Sequence, residues 1–193
     1  METHWSPQDL EDGLDVTSTT DNWYFRDGGA DGGAPAGGPL VILDLDGIIS
    51  DATHRQHYLR GAFKDFRGFF TAAPDDPPYE SGLALAASIA DDHTVAILTA
   101  RPHYMADDTR RWLAANDVRH DLLILRPEHG RGSRGPSADF KRHELNRLRA
   151  AGFEITAAID DDERIIEMYR SEGVFALYVH SGYYERDDAA RTI

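Results

Sequence analysis

The chain of 193 residues has no cysteine, which excludes disulfides and thiolate metal sites and makes the cytoplasm the default expectation. It has no stretch near the roughly 18 consecutive apolar residues of a membrane span, so no membrane role is expected. The opening Met1-Glu2-Thr3-His4-Trp5-Ser6 has neither a basic start nor an apolar core and does not read as a secretory leader. Lysine is nearly missing: Lys64 and Lys141 are the only two, a bias that reads as genome composition rather than function. The glycines of residues 28–38 are not followed by Gly-Lys-Ser/Thr, so they make no phosphate loop, and no kinase domain is expected in this chain.

What is abundant is negative charge. The formal charge is −14, and half of it lies in residues 1–39, where Glu2, Asp9, Glu11, Asp12, Asp15, Asp21, Asp27 and Asp31 face Arg26 alone. Such a field disfavours non-specific binding to nucleic acid, though not local recognition of a phosphorylated end. This acidic, Gly-rich segment 1–39 reads as a flexible tail. Trp5 and Trp23-Tyr24-Phe25 are unusual in one; they could dock on the domain or on a partner, with a mostly loose tail the preferred reading.

Hydrophobic residues make up 41% of the whole chain, and the rest of it (40–193) has room for one domain with a real core. It is organised around Leu40-Val-Ile-Leu-Asp44-Leu-Asp46-Gly47. An unbroken apolar run closed by a turn signal reads as a buried strand of a parallel sheet. Ligands of such sheets bind beyond the carboxyl ends of the strands, where Asp44 and Asp46 fall. Two apart on a strand, they would share a face and repel unless a cation lies between them or one binds a proton. The plain alternative is an acidic turn capping a core strand.

Residues 51–79 read as a small cap insertion of a short helix or two, closed by Pro74, Pro77 and Pro78. Its bases and aromatics either hold a phosphate and stack a base, or pack Tyr58, Phe66, Phe69 and Phe70 into the core. Then strands and helices alternate: helix 80–92, strand 94–99, helix 105–116, strand 121–125, helix 139–150, strand 155–159, helix 163–171 and strand 174–179. That order predicts an α/β domain, a doubly wound parallel sheet with helices on both faces.

Four features then fall in sequence at strand ends and one helix start: Asp44-Leu45-Asp46-Gly47, Thr99, Lys141 and Asp160-Asp161. Together they resemble the haloacid dehalogenase-type phosphohydrolase superfamily over about residues 40–180. The resemblance implies a Rossmann-like fold, Asp44 as nucleophile through an aspartyl-phosphate, and Asp46 as general acid. It implies Thr99 on the phosphoryl oxygens, Lys141 neutralising charge, and Mg²⁺ held by Asp44, the Asp46 carbonyl and Asp161, with Asp160 a further ligand. Magnesium favours hard oxygen ligands, and cations must shield a carboxylate that attacks a phosphate. A general acid at Asp46 calls for a raised pKa, which burial beside carboxylates would provide. Ile48 departs from the threonine usual in the family. Asp162 and Glu163 read as charges favoured by a helix dipole rather than as ligands. The histidines form no metal pattern.

Thr99-Ala100-Arg101-Pro102, Ala158-Ile159-Asp160-Asp161 with Ile165 to Arg170, Val179-His180-Ser181-Gly182 and the basic stretch from Arg126 to Arg134 resemble the 3′-phosphatase domain of phage-type polynucleotide kinases. That resemblance implies a nucleotide or a 3′-phosphorylated nucleic-acid end as substrate and makes Arg101 and Arg126 candidate contacts. A surface ion pair is the alternative for Arg101. His54, Arg55 and His57 lie just beyond the nucleophile and are candidates by position, and the small insertion leaves an open site. Arginines at 126, 131 and 134, with Lys141 and Arg142, could form a basic rim. A 5′-nucleotidase on free (deoxy)nucleotides and an inactive binding module of the same fold are the competing readings.

Overall fold

The computed structural model describes residues 22–26, 37–60, 62–130 and 132–184. Six strands form one sheet: β1 (Trp23–Phe25), β2 (Gly38–Leu43), β3 (Thr94–Pro102), β4 (Leu122–Arg126), β5 (Phe153–Asp160) and β6 (Ala176–Tyr178). Their spatial order is β1-β4-β3-β2-β5-β6, all parallel except β1, which pairs antiparallel with β4. The helices are α1 (Phe66–Thr71), α2 (Glu80–Ile89), α3 (Ala106–Ala115), α4 (Ser137–Ala150) and α5 (Glu163–Ser171). This is the doubly wound α/β architecture that the alternating pattern predicts. No helix among the described residues is long and apolar enough to cross a membrane.

The apolar run of β2 is continuous because both its faces are covered. Leu40 and Ile42 pack with Phe140, Leu145 and Leu148 of α4 and Ile165 and Ile166 of α5. Val41 and Leu43 turn the other way, onto Ala86 of α2 and Trp112 and Leu113 of α3. Side chains alternate across a strand, so one run of four serves two cores. Gly82 lets α2 press on the turn after β2, since a Cβ there would come within 2.1 Å of the Ile48 carbonyl oxygen.

The tail expected through residue 39 is corrected at residues 22–26, while Trp5 and the rest of residues 1–21 and 27–36 lie outside the described residues. Trp23 is buried in the α4-side core, and its indole N–H donates to Glu144 Oε2 at 2.7 Å. Asn22 donates to Glu144 Oε1 at 3.2 Å and to the Leu125 carbonyl at 2.8 Å. Those aromatics are unusual for a loose segment because they finish the sheet edge.

Residues 51–79 fold into a 3-10 turn (Thr53–Leu59), α1 and a second 3-10 turn (Ala73–Asp75). Two backbone bonds close the base: Asp51 N–H to Pro77 O at 2.8 Å, and Tyr79 N–H to Ile49 O at 2.7 Å. Of the four aromatics weighed for the core, Phe69 is buried whereas Phe66 is 56% exposed. Phe69 serves the site, lying under the Arg55 guanidinium at 4.1 Å.

Candidate active site

β2 ends at Leu43, so Asp44 and Asp46 stand on the loop beyond it. The expectation that both carboxylates share one face of the strand is corrected accordingly. Asp44 N–H donates to Ile159 O at 2.9 Å, which ties this loop to the end of β5. Leu45 O then accepts from Ile49 and Ser50 N–H, both at 2.9 Å, and Gly47 N–H reaches Ser50 O at 2.8 Å. Within this tight turn Gly47 has φ +92°, and a Cβ there would lie 2.2 Å from Asp161 Oδ2. Only glycine satisfies both the backbone and the approach of the acid. The turn sends the two aspartates to different partners.

Asp44 joins an acid cluster. Ligand oxygens of Asp44, Asp160 and Asp161 lie within 4.8 Å of one another, and all three residues are buried. Lys141, one turn into α4, donates to Asp44 Oδ1 at 2.7 Å and to Asp160 Oδ2 at 2.6 Å. Burial would strip its proton, but Asp160 and Asp44 hold it on and raise the ammonium well above its ordinary range. One ammonium does not balance three carboxylates. Burial pushes Asp44 well up; Lys141 pulls against it, and Asp160 and Asp161 push with it. Asp161 is pushed to about 7, by burial first and then by Asp160. Both its oxygens are buried without a hydrogen-bond partner, the Ser181 hydroxyl drawing its pKa down without a bond of ordinary geometry.

Asp46 enters the opposite environment. Its Oδ1 accepts from Arg55 Nη2 at 2.7 Å and from Arg101 Nε and Nη2 at 3.0 and 2.5 Å. Burial alone would raise this carboxyl, but Arg101 and Arg55 together hold it below its usual range. The expected raised pKa is therefore corrected: Asp46 is flanked by guanidiniums, not carboxylates. Arg101 is itself buried at the end of β3, where the ladder to β4 breaks register between Leu98 and Pro102. That break frees the Thr99–Arg101 stretch to face the site. Thr99 is buried there, and its Oγ1 accepts Arg101 N–H at 3.2 Å.

Both guanidiniums also hold Asp76, a residue that the sequence pattern did not single out. Asp76 takes Arg55 Nε at 2.7 Å, Arg55 Nη2 at 2.6 Å and Arg101 Nη2 at 2.9 Å. Ser50 Oγ donates to it at 2.5 Å while accepting from Arg101 Nη2 at 3.0 Å, and His54 Nε2 meets it at 2.8 Å. Trp112 fixes its backbone by donating to the carbonyl at 2.7 Å. A signal existed: an acid before Pro77-Pro78 in the insertion. Its meaning depends on the insertion folding back to the strand ends.

The other candidates lie farther out or are engaged elsewhere. Arg126 donates to Gly135 O at 3.0 Å and Ser137 Oγ at 2.9 Å and covers the Phe140 ring, so it orders the loop before α4. His57 Nδ1 meets the His54 carbonyl at 2.9 Å. Arg142 pairs with Glu172 and Asp139, Arg134 is exposed, and Arg131 lies outside the described residues. Asp162 caps α5 and pairs with Arg164, the helix-terminus role read for it.

Around the strand ends, then, five buried or near-buried carboxylates (Asp44, Asp46, Asp76, Asp160, Asp161) face three cations (Arg55, Arg101, Lys141). The excess of negative charge and the two orphaned oxygens of Asp161 fit a divalent cation of hard-oxygen preference. No histidine joins Asp44, Asp160 and Asp161 among the described residues.

Comparison with known proteins gives the same picture. Residues 39–184 match the sequence pattern of the polynucleotide kinase PNKP phosphatase domain. A chain of the Pnkp1/Rnl/Hen1 RNA repair complex aligns with a TM-score of 0.61 and 21% identity, over 76% of this chain and 44% of that one. A second chain, from a Pnkp1/Rnl/Hen1 complex, gives 0.59 and 20%, over 76% and 47%. This chain thus spans less than half of either. A haloacid dehalogenase-like hydrolase, SP0104 from Streptococcus pneumoniae, aligns at 0.52 and 13%, over 78% and 89%. No curated protein sequence matches. With three quarters of its length inside one family pattern and the motif residues gathered at the strand ends, the chain belongs to the polynucleotide kinase PNKP phosphatase domain family and is a phosphatase of the haloacid dehalogenase type.

Proposed function

We propose that the chain removes the phosphate from 3′-phosphorylated nucleic-acid ends or nucleotides through a covalent intermediate on Asp44. The observation that carries this reading is the Lys141 ammonium between Asp44 and Asp160, which leaves Asp44 Oδ2 without a hydrogen bond among the described residues. That oxygen attacks phosphorus, the bond from phosphorus to the leaving oxygen breaks, and the leaving oxygen takes a proton from Asp46. Water, losing its proton to Asp46, then attacks the phosphoryl group and restores the Asp44 carboxylate with release of inorganic phosphate.

Lys141 lowers the repulsion between Asp44 and the incoming dianion, and the Thr99 hydroxyl orients phosphoryl oxygens. Asp44, Asp161, Asp160 and the Asp46 carbonyl would hold Mg²⁺, which when bound supplies positive charge against the phosphate. The arginine setting of Asp46 keeps it ionised in the free protein. A phosphate drawing on Arg55 and Arg101 would weaken their hold on Asp46 and let its pKa rise toward that of an acid. Asp76 keeps both guanidiniums in place while they change partners.

Phosphate release with Mg²⁺ tests the reading, comparing 3′-phosphorylated RNA and DNA oligonucleotides with 3′- and 5′-mononucleotides and using Asp44→Asn as blank. Faster turnover of the oligonucleotides is expected. Preference for 5′-mononucleotides would make the chain a nucleotidase of the same fold. Activity on an aryl phosphate alone would discard the substrate class and keep the chemistry.

A further inference from the structure

Residues 181–184, after β6, run along the acid cluster and are tied down on both sides of it. At one end Ser181 packs against Gly47 and Asp161, its Cβ lying 3.1 Å from where a Gly47 Cβ would stand. In the middle, Tyr183 Oη accepts Ala52 N–H at 2.8 Å and donates to Asp51 Oδ1 at 3.0 Å, with Tyr79 Oη 3.2 Å away. At the far end the Arg164 guanidinium covers the Tyr184 ring at 5.5 Å. Arg164 is in turn fixed by Asp162, through Nε to Oδ1 at 2.9 Å and Nη2 to Oδ2 at 2.6 Å. This segment therefore presents a pre-ordered aromatic ring.

Tyr184 keeps 53% of its surface exposed despite those anchors. Arg164 and Asp162 hold it at the start of α5, next to the Asp160-Asp161 end of the acid cluster. Those acids disfavour a second phosphate at this place, whereas an uncharged ring tolerates them. An ordered ring backed by a guanidinium loses little freedom when a flat group stacks on it.

We propose that Tyr184 is the stacking platform for the nucleobase of the nucleotide whose phosphate is removed. The proposal rests on the nucleic-acid reading above. A competing platform exists on the insertion, where Phe63 and Phe66 are exposed near Arg60, Lys64 and Arg67, with the exposed Tyr104 in the turn after β3. Among the described residues Phe63 has no ring contact to hold it, and it is 94% exposed. Stacking there would carry a larger ordering cost.

Steady-state kinetics on a 3′-phosphorylated dinucleotide and on glycerol phosphate, with Mg²⁺, decide the matter. Base stacking makes Tyr184→Ala raise KM for the dinucleotide about ten-fold beyond any change with glycerol phosphate, at similar kcat. Tyr184→Phe and Tyr184→Trp should restore dinucleotide KM, which a merely structural role for the hydroxyl would not allow. Equal changes on both substrates, or a dinucleotide-specific loss in Phe66→Ala and not in Tyr184→Ala, would overturn the assignment. If the wild type hydrolyses glycerol phosphate and not the dinucleotide, the nucleic-acid reading falls and takes this proposal with it. If it hydrolyses both and Tyr184→Ala changes neither, this proposal falls alone.

Discussion

The two aspartates of the central loop are two residues apart and live in opposite electrostatic worlds. On one side, Asp44, Asp160 and Asp161 share a single ammonium, and their carboxyls at positions 44 and 161 are driven toward protonation. On the other, Asp46 and Asp76 are matched by Arg55 and Arg101, and Asp46 is driven toward ionisation. The first half lacks a cation by its own composition. The second is complete without one. A phosphoryl-transfer site needs both: a place where an added cation and the phosphate complete the charge, and a rigid frame that is finished beforehand.

The largest effect expected from breaking the cation-poor half is on chemistry. Asp44→Asn keeps the shape and hydrogen-bonding reach of the side chain but removes the carboxylate charge and the oxygen proposed to attack. Loss of the nucleophile should lower phosphate release on the order of 10⁴-fold or more. Quenched-flow assay for a covalent phosphoenzyme gives the second readout, with none expected in Asp44→Asn. Near wild-type release from that variant would remove the covalent mechanism.

Breaking the balanced half should instead show first as lost stability. Asp76→Asn leaves two buried guanidiniums sharing Asp46 alone, and breaking a buried ion pair on one side costs about 3–5 kcal/mol. Urea unfolding measures this, and the same variant should lose turnover because Arg55 and Arg101 are no longer fixed. A stability change under about 1 kcal/mol, the range of exposed pairs, would show that the arginine frame is solvated and not a frame.

The two halves should also differ in sign along the pH axis. Asp161 is raised from its ordinary value to about 7 in the folded chain. Between its unfolded pKa and about 7 the native state binds the extra proton, so stability is highest in acid and falls as pH rises through that window. The shift corresponds to at most about 4 kcal/mol. Asp46 is lowered, so its contribution is present above the unfolded pKa and is lost as pH falls through the folded one. Melting curves of the metal-free protein should therefore decline between pH 5 and 7, and Asp161→Asn should flatten that decline. Added Mg²⁺ should raise the melting temperature most at pH 7, where Asp161 is charged, and EDTA should reverse it. A flat profile that Mg²⁺ does not change would mean that the acid cluster has no deficit of cation.

How far this asymmetry was legible beforehand follows from its range along the chain. The motif residues announce themselves because each sits beside a strand or helix signal: Asp44 after Leu40–Leu43, Thr99 after Val95–Leu98, Asp160 after Ile155–Ile159. Helix α5 falls at 163–171 as its pattern predicts, because Asp162 caps it and its apolar face is regular. Asp76 was not legible, since its partners Arg55 and Arg101 lie 21 and 25 residues away and meet it only once the insertion has folded. The pKa direction of Asp46 failed for the same reason, as neighbours in sequence suggested carboxylates where the fold supplies guanidiniums. Strand β1 was hidden by its acidic, Gly-rich surroundings: three residues cannot show a strand period.

The smallest effect should come from His54, and its size sharpens the boundary of the balanced half. By sequence it is a substrate candidate as good as Arg55, one position away. In the fold the two part company: Arg55 is buried over the Phe69 ring and bridges Asp46 and Asp76, whereas the His54 side chain is 42% exposed and touches only one oxygen of Asp76. A half-exposed partner is screened by water, so His54→Gln should cost under about 1 kcal/mol. It should change kcat/KM less than about three-fold, while Arg55→Gln should lose orders of magnitude, as when a buried charge partner is removed. If both substitutions had equal effects, Asp76 would be organised by all its neighbours alike. The frame would then be a diffuse polar patch, and the distinction between a finished half and an unfinished one would lose its physical basis.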